Sequence, residues 1–396
     1  MQSLTYKQNK LFFYDVDLSS LVGPELSPTY LYHRKSIADR AKLFMETAQK
    51  HLKNKFSVHY AMKANYHPEI IKTLLSQGIG IDVVSGGELT LSQSLGTRAE
   101  NIIYSGVGKT KKEIREAIIA QIKQINVESL PELERISVLS TELKKTVKIA
   151  LRVNPNVDVK THPHIATGLR DNKFGIEVGD VSKALEIIQK NKYIQLQGLS
   201  LHIGSQIFDF SPLKMAIEKL REVYQQLESQ GIVLKNFDIG GGVGVNYQEN
   251  GENDHLVLNE YFKTVADATN SMNCDLLFEP GRFLVSRSGI LLTEIQYIKQ
   301  TPWKTFVICN TGMNHILRPV LYEAHHRIMP LQRREGSESV VDIVGPVCES
   351  ADFLAKKRSL PPVLAGDILA IGDAGAYGKV MSSHYNLFPE VLEKVL

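Results

Sequence analysis

The feature that most constrains this chain is a rhythm: between about Thr29 and Gly281, short β-branched runs alternate with helix-length amphipathic segments. Parallel strands need crossover connections of about that length, so the alternation calls for an α/β architecture. Strands are predicted at Phe56–Met62, Ile79–Val84, Asn101–Tyr104, Gln124–Val127, Lys148–Val153, Gln197–His202, Asn236–Ile239 and Leu276–Phe278. Between them, apolar residues recur at helical spacing in Pro68–Ser76, Gly87–Leu95, Lys111–Ala120, Leu130–Leu139, Val181–Gln189, Leu213–Gln230 and Asn259–Thr269. In the sixth of these helices, Met215, Ile217, Leu220, Val223 and Leu227 read as one core-facing stripe. Thr110, with Glu113 three residues on, reads as a capping box.

Eight such units suit a closed (β/α)8 TIM barrel; an open doubly wound sheet, usually of about six strands, leaves two units over. After Gly289 the texture changes. Runs at Ile290–Tyr297, Phe306–Cys309, Val340–Val344 and Asp367–Ala370 are separated by Pro and Gly turns without helix-length gaps, which predicts a second, mostly β C-terminal domain. A chain of 396 residues, 43% of them hydrophobic, has the core for a large and a smaller domain, and a disordered chain or a disulfide miniprotein is excluded.

Charge narrows the function. Lys and Arg number 46 against 43 Asp and Glu, a net +3 spread along the chain, so neither nucleic acid nor a membrane is an expected partner. The runs Lys144-Lys145 and Lys356-Lys357-Arg358 read as solvated surface. Cys274, Cys309 and Cys348 are too far apart for a zinc knuckle or redox pair, which fits a reducing compartment. The opening MQSLTYKQNKLFF lacks a secretory pattern and no long apolar run follows, so a soluble cytoplasmic protein is expected.

In a TIM barrel the reactive groups gather where strands end. Lys63 directly follows the first predicted strand, Asp82 ends the second, Arg152 lies near the end of the fifth, and His202 ends the sixth. Gly240, Gly241 and Gly242 follow the seventh, and Glu279 the eighth. A lone lysine ordinarily snorkels to water, but a partly desolvated amine at a barrel mouth can condense with an aldehyde cofactor. The Gly240 to Gly244 segment lacks the dinucleotide fingerprint, since Val245 stands where a glycine is needed, and it lacks a GKS or GKT ending. It is a tight turn or a backbone cradle for a phosphate monoester. In Glu279-Pro280-Gly281-Arg282, a carboxylate able to keep a pyridine nitrogen protonated precedes an arginine able to grip a substrate carboxylate; a solvent-facing salt bridge is the plainer reading.

His202 and Ser205 put an imidazole and a hydroxyl in one strand-end loop, where a hydrogen-bonded core histidine is the alternative. The pairs His162 with His164 and His325 with His326 lack companions for a metal, and no metal is expected. Cys348, Glu349 and Asp352, flanked by Gly345-Pro346 and Phe353-Leu354, read as groups that a constrained loop presents rather than buries.

Tyr60-Ala61-Met62-Lys63-Ala64-Asn65, Asn172-Lys173-Phe174-Gly175-Ile176, His202-Ile203-Gly204-Ser205-Gln206, the triple glycine and Glu279-Pro280-Gly281-Arg282 resemble the alanine-racemase-like pyridoxal-phosphate decarboxylases, and among them the diaminopimelate decarboxylases. So do Gly312-Met313-Asn314 leading to Arg318-Pro319 and Tyr322, Gly345-Pro346-Val347-Cys348-Glu349-Ser350, and Asp373-Ala374-Gly375-Ala376-Tyr377-Gly378 leading to Met381-Ser382-Ser383-His384-Tyr385-Asn386. The likeness runs from about Thr29 to Asn386. It implies pyridoxal 5′-phosphate as cofactor, bound covalently by Lys63, stacked on His202 and met at its ring nitrogen by Glu279. Ser205, Gly240, Gly241, Gly242 and Tyr377 match its phosphate side.

The same resemblance implies an amino-acid substrate, meso-diaminopimelate, decarboxylated to L-lysine. Arg282, Arg318 and Tyr322 match the substrate positions that hold its distal carboxylate, Tyr377 a further substrate position, and Glu349 the one that meets its distal ammonium. It implies a homodimer, with Cys348, a possible proton donor, and Glu349 reaching the neighbouring subunit's site. It also draws the N-terminal segment into the β domain, giving a barrel over 28–285 and a β domain for substrate recognition and dimerisation over 1–27 and 286–396. After Tyr385-Asn386 the family often continues with an Arg-Pro-Arg-like stretch, where this chain has Leu387-Phe388-Pro389-Glu390. Decarboxylases of lysine, ornithine or carrier-bound amino acids, and a non-catalytic cofactor-binding relative, are the alternatives.

Overall fold

The computed structural model describes residues 2–23, 26–157 and 173–396, so His162, His164 and Asn172 lie outside the described residues. Two compact units emerge, one of Ala41–Gly244 with His255–Gly281, the other of Met1–Arg40, Val245–Asp254 and Arg282–Leu396.

The first unit is an eight-stranded parallel barrel. Its strands are β1 (Phe56–Ala61), β2 (Gly80–Val83), β3 (Ile102–Tyr104), β4 (Gln124–Val127), β5 (Val147–Asn154), β6 (Ile194–Ser200), β7 (Asn236–Asp238) and β8 (Asp275–Phe278). Each pairs with the next in the sequence, and β8 returns to β1 with Leu276 opposite Phe56, which leaves no free edge. Register places Ala61, the residue two before Lys63, opposite Asp82. Closure over Phe278 is sealed by rings: Phe44, Tyr261, Phe262 and Phe278 meet edge to face, the closest pair 5.0 Å between centroids.

Two local expectations change. Strand β6 begins at Ile194, earlier than predicted, and ends at Ser200, so His202 stands two residues beyond the strand in the loop. Ile194 to Leu196 already pair with Val147 to Ile149 of β5, and a register shift follows between Leu196 and Gly198. The helix Ser211–Ser229 buries Leu213, Ala216, Ile217, Leu220, Val223, Tyr224 and Leu227, but Met215 is 60% exposed. At about 100° per residue it lies some 200° from Ile217, off the core stripe. The capping box forms as read, with Thr110 Oγ1 accepting from the Glu113 N–H while Glu113 accepts from the Thr110 N–H.

The second unit is mostly β. Thr29–Tyr32 lies antiparallel to Gly289–Gln300 and parallel to Leu392–Val395, and Gly289–Gln300 continues to Thr305–Cys309 and Ile368–Ile371. The N-terminal segment adds the small sheet Leu4–Lys7, Lys10–Phe13 and Val16–Asp17. Leu4, Leu11, Phe13 and Leu18 share a core with Leu31, Ile290, Leu292, Leu331 and Ala370, which joins the two ends of the chain. No helix among the described residues is long and apolar enough to cross a membrane.

Residues 245–254 cluster with this β unit because of buried charge. Arg287, wholly buried, donates from Nε and Nη2 to the Asp254 carboxylate at 2.7 and 3.0 Å and from Nη1 to Asp373 at 3.3 Å. Arg40 adds a bond to Asp254 at 2.8 Å, and Arg327 one to Asp373 at 3.1 Å. Burial alone would raise the Asp254 carboxyl, but Arg40 and Arg287 hold it well below the usual carboxylate range. Its stabilisation is therefore present above about pH 4 and lost as pH falls toward the folded value. Asp254→Asn is expected to cost roughly 3–5 kcal/mol at pH 7, by leaving two buried guanidinium groups short of a charge, and to flatten the loss of stability below pH 4. Urea unfolding at several pH values measures both.

Candidate active site

At the carboxyl ends of the barrel strands, chemistry collects in a small space. Lys63 sits in the single turn Met62–Ala64 directly after β1, exposed between two buried neighbours. Its charge acts on two buried acids, Asp82 on β2 and Glu279 one residue past β8, and a third buried acid, Asp238 at the end of β7, acts on both of them. The Glu279 carboxyl is pushed far up, first by burial and then by Asp238 and Asp82. Burial likewise raises Asp82 and Asp238. Asn126 on β4 ties the group together, its Nδ2 donating at 3.1 Å each to Ser105 Oγ, Asp238 Oδ2 and Glu279 Oε1.

The triple glycine threads between these acids and the His202 loop. The Gly240 N–H donates to Asp238 Oδ1 at 2.9 Å, and the Gly240 carbonyl accepts from the Glu279 N–H at 2.7 Å. Here side chains are sterically forbidden. A Cβ at Gly241 would stand 2.4 Å from the Glu279 carbonyl oxygen, and one at Gly242, whose φ is +113°, 2.6 Å from that of Gly204. The Gly241 N–H donates to His202 Nδ1 at 3.2 Å, so the neutral imidazole carries its proton on Nε2. The ring is half-buried; its enclosure, with the Lys63 and Arg152 cations, keeps it neutral by lowering its proton affinity well below the ordinary histidine value. Arg152 is itself bound to Glu128 at 2.7 Å and reaches the His202 carbonyl at 3.4 Å. Ser205 lies three residues on in the same loop, half-buried.

The β unit holds a second constellation. Arg282 and Arg318 each open a short helix, Arg282–Val285 and Arg318–Tyr322, and both are buried. They converge on Tyr247. The Arg318 guanidinium lies 4.4 Å from the Tyr247 ring centroid, and Arg282 Nη1 donates to the Tyr247 hydroxyl at 3.1 Å. Arg282 also stacks 4.8 Å from the Tyr377 ring centroid. Burial would raise the Tyr247 hydroxyl, yet Arg318 and Arg282 bring it below its ordinary value. His326 accepts from Arg318 Nη1 at 2.9 Å while its own Nδ1–H donates to the Gly372 carbonyl at 2.8 Å. Burial, then Arg318, keeps that ring neutral. Arg318 Nε finds no hydrogen-bond partner among the described residues.

Tyr247 escaped the sequence reading, since it falls in an irregular stretch with no period, and His326 was weighed only as a metal ligand. Tyr322 shares the Arg318 helix, and its hydroxyl is felt by Arg282. Cys348 and Glu349 are both exposed; the Cys348 N–H is held by Asn386 Oδ1 and the Glu349 carboxylate by the Tyr385 hydroxyl, each at 2.9 Å. Asp352 departs from expectation, being buried. Its carboxylate accepts the Met313 and Val347 N–H groups at 2.6 and 2.7 Å, and it fills the space that Gly312 and Gly345 leave, so it shapes the loop rather than being presented by it.

Comparison with known proteins agrees with this geometry. Residues 36–286 match the family "Pyridoxal-dependent decarboxylase, pyridoxal binding domain". The diaminopimelate decarboxylase of Aquifex aeolicus is 40% identical over 390 residues, covering 98% of this chain and 91% of the relative. A structure of diaminopimelate decarboxylase from M. jannaschii in co-complex with L-lysine superposes with a TM-score of 0.92 at 34% identity, covering 100% of this chain and 92% of that one. The Helicobacter pylori diaminopimelate decarboxylase complexed with L-lysine gives 0.88 at 36% identity, over 96% and 94%.

His202 and His326 bind protons less readily folded than unfolded, so their contribution is complete above about pH 6.5 and declines as pH falls toward the folded values. Stability measured by urea between pH 8 and pH 5 is expected to drop on the acid side, with a shallower slope in His202→Asn. An unchanged slope would show that His202 takes up protons equally in the folded and unfolded chains.

Proposed function

The chain belongs to the diaminopimelate decarboxylase family of pyridoxal-phosphate enzymes, and on that premise we propose that it takes meso-diaminopimelate, releases one carboxyl group as carbon dioxide and yields L-lysine. Pyridoxal phosphate, when bound, supplies an electron sink for the pair left on the substrate carbon as the carboxylate departs. The observation that carries this reading is the setting of the Lys63 amine and the buried Glu279 carboxyl around one acid cluster, beside a glycine turn with no room for a Cβ.

Those residues fit the cofactor. Lys63 holds its aldehyde carbon. The side-chain-free Gly240, Gly241 and Gly242 turn brings backbone close to its phosphate, aided by Ser205 and Tyr377. At Glu279 the crowding by Asp238 and Asp82 outweighs the pull of Lys63, and a protonated ring nitrogen would add the cation that redresses it. The His202 imidazole, neutral and fixed by Gly241, offers its face to the ring.

Substrate selection falls to the β unit. Arg282 and Arg318 take the distal carboxylate, with Tyr322 and Tyr377 beside them; Tyr247 and His326 hold the guanidinium planes in place. Glu349 meets the distal ammonium. Both Glu349 and Cys348 are exposed on their own subunit, which supports a homodimer in which each completes the partner's site. The carbon that loses carbon dioxide takes its proton from the Cys348 thiol, the Lys63 amine or a water that either one positions.

Lys63→Ala is expected to abolish covalent cofactor attachment, read by borohydride trapping and peptide mass, and to lower turnover roughly 100- to 10,000-fold. Glu349→Gln leaves attachment intact and raises the KM for meso-diaminopimelate roughly 10- to 100-fold, the worth of one charge-assisted hydrogen bond. Carbon dioxide release from meso-diaminopimelate, lysine and ornithine tests the substrate, and equal turnover of lysine would sink it. Mixing inactive Lys63→Ala and Cys348→Ala subunits restores about a quarter of wild-type activity if the site is shared, and nothing if it is not.

A further inference from the structure

Asp238 ends β7 wholly buried, and the scheme above gives it no task. Its Oδ1 accepts the Gly240 N–H at 2.9 Å, and its Oδ2 accepts from Asn126 Nδ2 at 3.1 Å. The same Asn126 nitrogen donates to Glu279 Oε1 at 3.1 Å, and the Asp238 and Glu279 carboxyl groups hydrogen-bond to each other. Two carboxyl groups make such a bond only with one proton between them.

Asn126 cannot turn over. Its Oδ1 accepts from Gln124 Nε2 at 2.8 Å, and Gln124 Oε1 accepts from Asn236 Nδ2 at 3.0 Å, so a column of amides inside the barrel keeps the Asn126 nitrogen aimed at both acids. The charged or titratable groups facing the pair are Arg152 on β5, Asp82 on β2, Lys63 after β1, Lys123 before β4 and the Tyr261 hydroxyl. A second carboxyl placed against Glu279 in so dry a setting costs stability, which a purely structural role does not repay.

We propose that Asp238 is a positioning residue for the cofactor ring: joined to Glu279 by one proton and by Asn126, it makes a two-carboxylate receptor that holds the ring nitrogen protonated more firmly than Glu279 alone. This rests on Glu279 facing that nitrogen. The proton balance closes within the site. Before loading, the pair carries one proton and one negative charge. After loading, that proton resides on the nitrogen, two carboxylates face one pyridinium, and the net charge is unchanged, so the solvent supplies no proton. With Asn at 238 only one carboxylate remains, and a smaller negative charge holds the proton less tightly.

The test reads the nitrogen directly. Enzyme reconstituted with pyridoxal phosphate carrying nitrogen-15 in its ring is followed by NMR as pH rises, in wild type, Asp238→Asn and Glu279→Gln. Asp238→Asn is expected to lose the ring proton roughly one pH unit or more below wild type, a tenfold weaker hold, and Glu279→Gln earlier still. The affinity ratio of pyridoxal phosphate to its analogue with C–H at the ring-nitrogen position shrinks about tenfold in Asp238→Asn. If Asp238→Asn titrates like wild type while Glu279→Gln does not, the inference falls and the reading of Glu279 stands. If Glu279→Gln also titrates like wild type, both fall. Should Asp238→Asn fail to load cofactor, the exchange Asn126→Asp with Asp238→Asn returns the second carboxyl across the same bond. Recovery of the wild-type titration supports the proposal, and its absence overturns it.

Discussion

Pairing of β8 with β1 is the interaction on which the rest of this protein depends. It joins the segment that ends in Glu279 to the one that ends in Lys63, two residues far apart in the chain, and it does so by backbone hydrogen bonds that any sequence with the right period can make. Once the ring of strands closes, every strand points its carboxyl end the same way, and polar residues just past those ends have one region to share. Asp82, Asp238, Glu279, Lys63 and the triple glycine are brought to that region by topology rather than by any attraction among them.

Three acids buried together would ordinarily be a fault. Burial raises all three toward their neutral forms, repulsion from neighbouring acids adds to it at Asp82 and Glu279, and the hydrogen bonds that Asn126 and Gly240 donate offset only part of the cost. Such an arrangement persists where a cationic group is to be received. The β unit shows the converse. Arg282 and Arg318 are buried against tyrosine faces and a neutral histidine, so their charge is held in shape without being neutralised. The Arg287 network, in which Asp254 and Asp373 answer the guanidinium, is the contrasting case where the same residue type serves stability.

Much of this was legible beforehand, and the reasons differ by element. Gln124–Val127, Pro68–Ser76, Lys111–Ala120 and Val181–Gln189 have the predicted bounds because a clean period or cap marks both ends. The start of β6 was not legible, since Ile194 to Leu196 are drawn into the sheet by pairing with β5, which no local period announces. Met215 was misplaced by treating a stripe as wider than the helix geometry allows. Asp352 reads from its neighbours as a presented group, and only the folding of its loop onto the Val347 N–H and the approach of the remote Met313 N–H make it an internal anchor. Tyr247 left no trace in the pattern, because an irregular segment has no period to betray which side chain is buried.

The sequence by itself determined the kinds of element, their order, the closed barrel with a β unit, and the identity of Lys63, the glycine turn, Glu279 and the two arginines as the residues of interest. The elements, Lys63, the glycine turn and Glu279 follow from local rules, in which hydrophobic period sets strand or helix and strand ends set where polar groups emerge, while Arg318 stood out by the family resemblance. Only the tertiary structure decided that Asn126 joins Asp238 to Glu279 and which nitrogen of His202 and His326 carries hydrogen. Those facts depend on distances of a few ångströms between segments remote in the chain, and on a burial that turns weak charge interactions in water into strong ones.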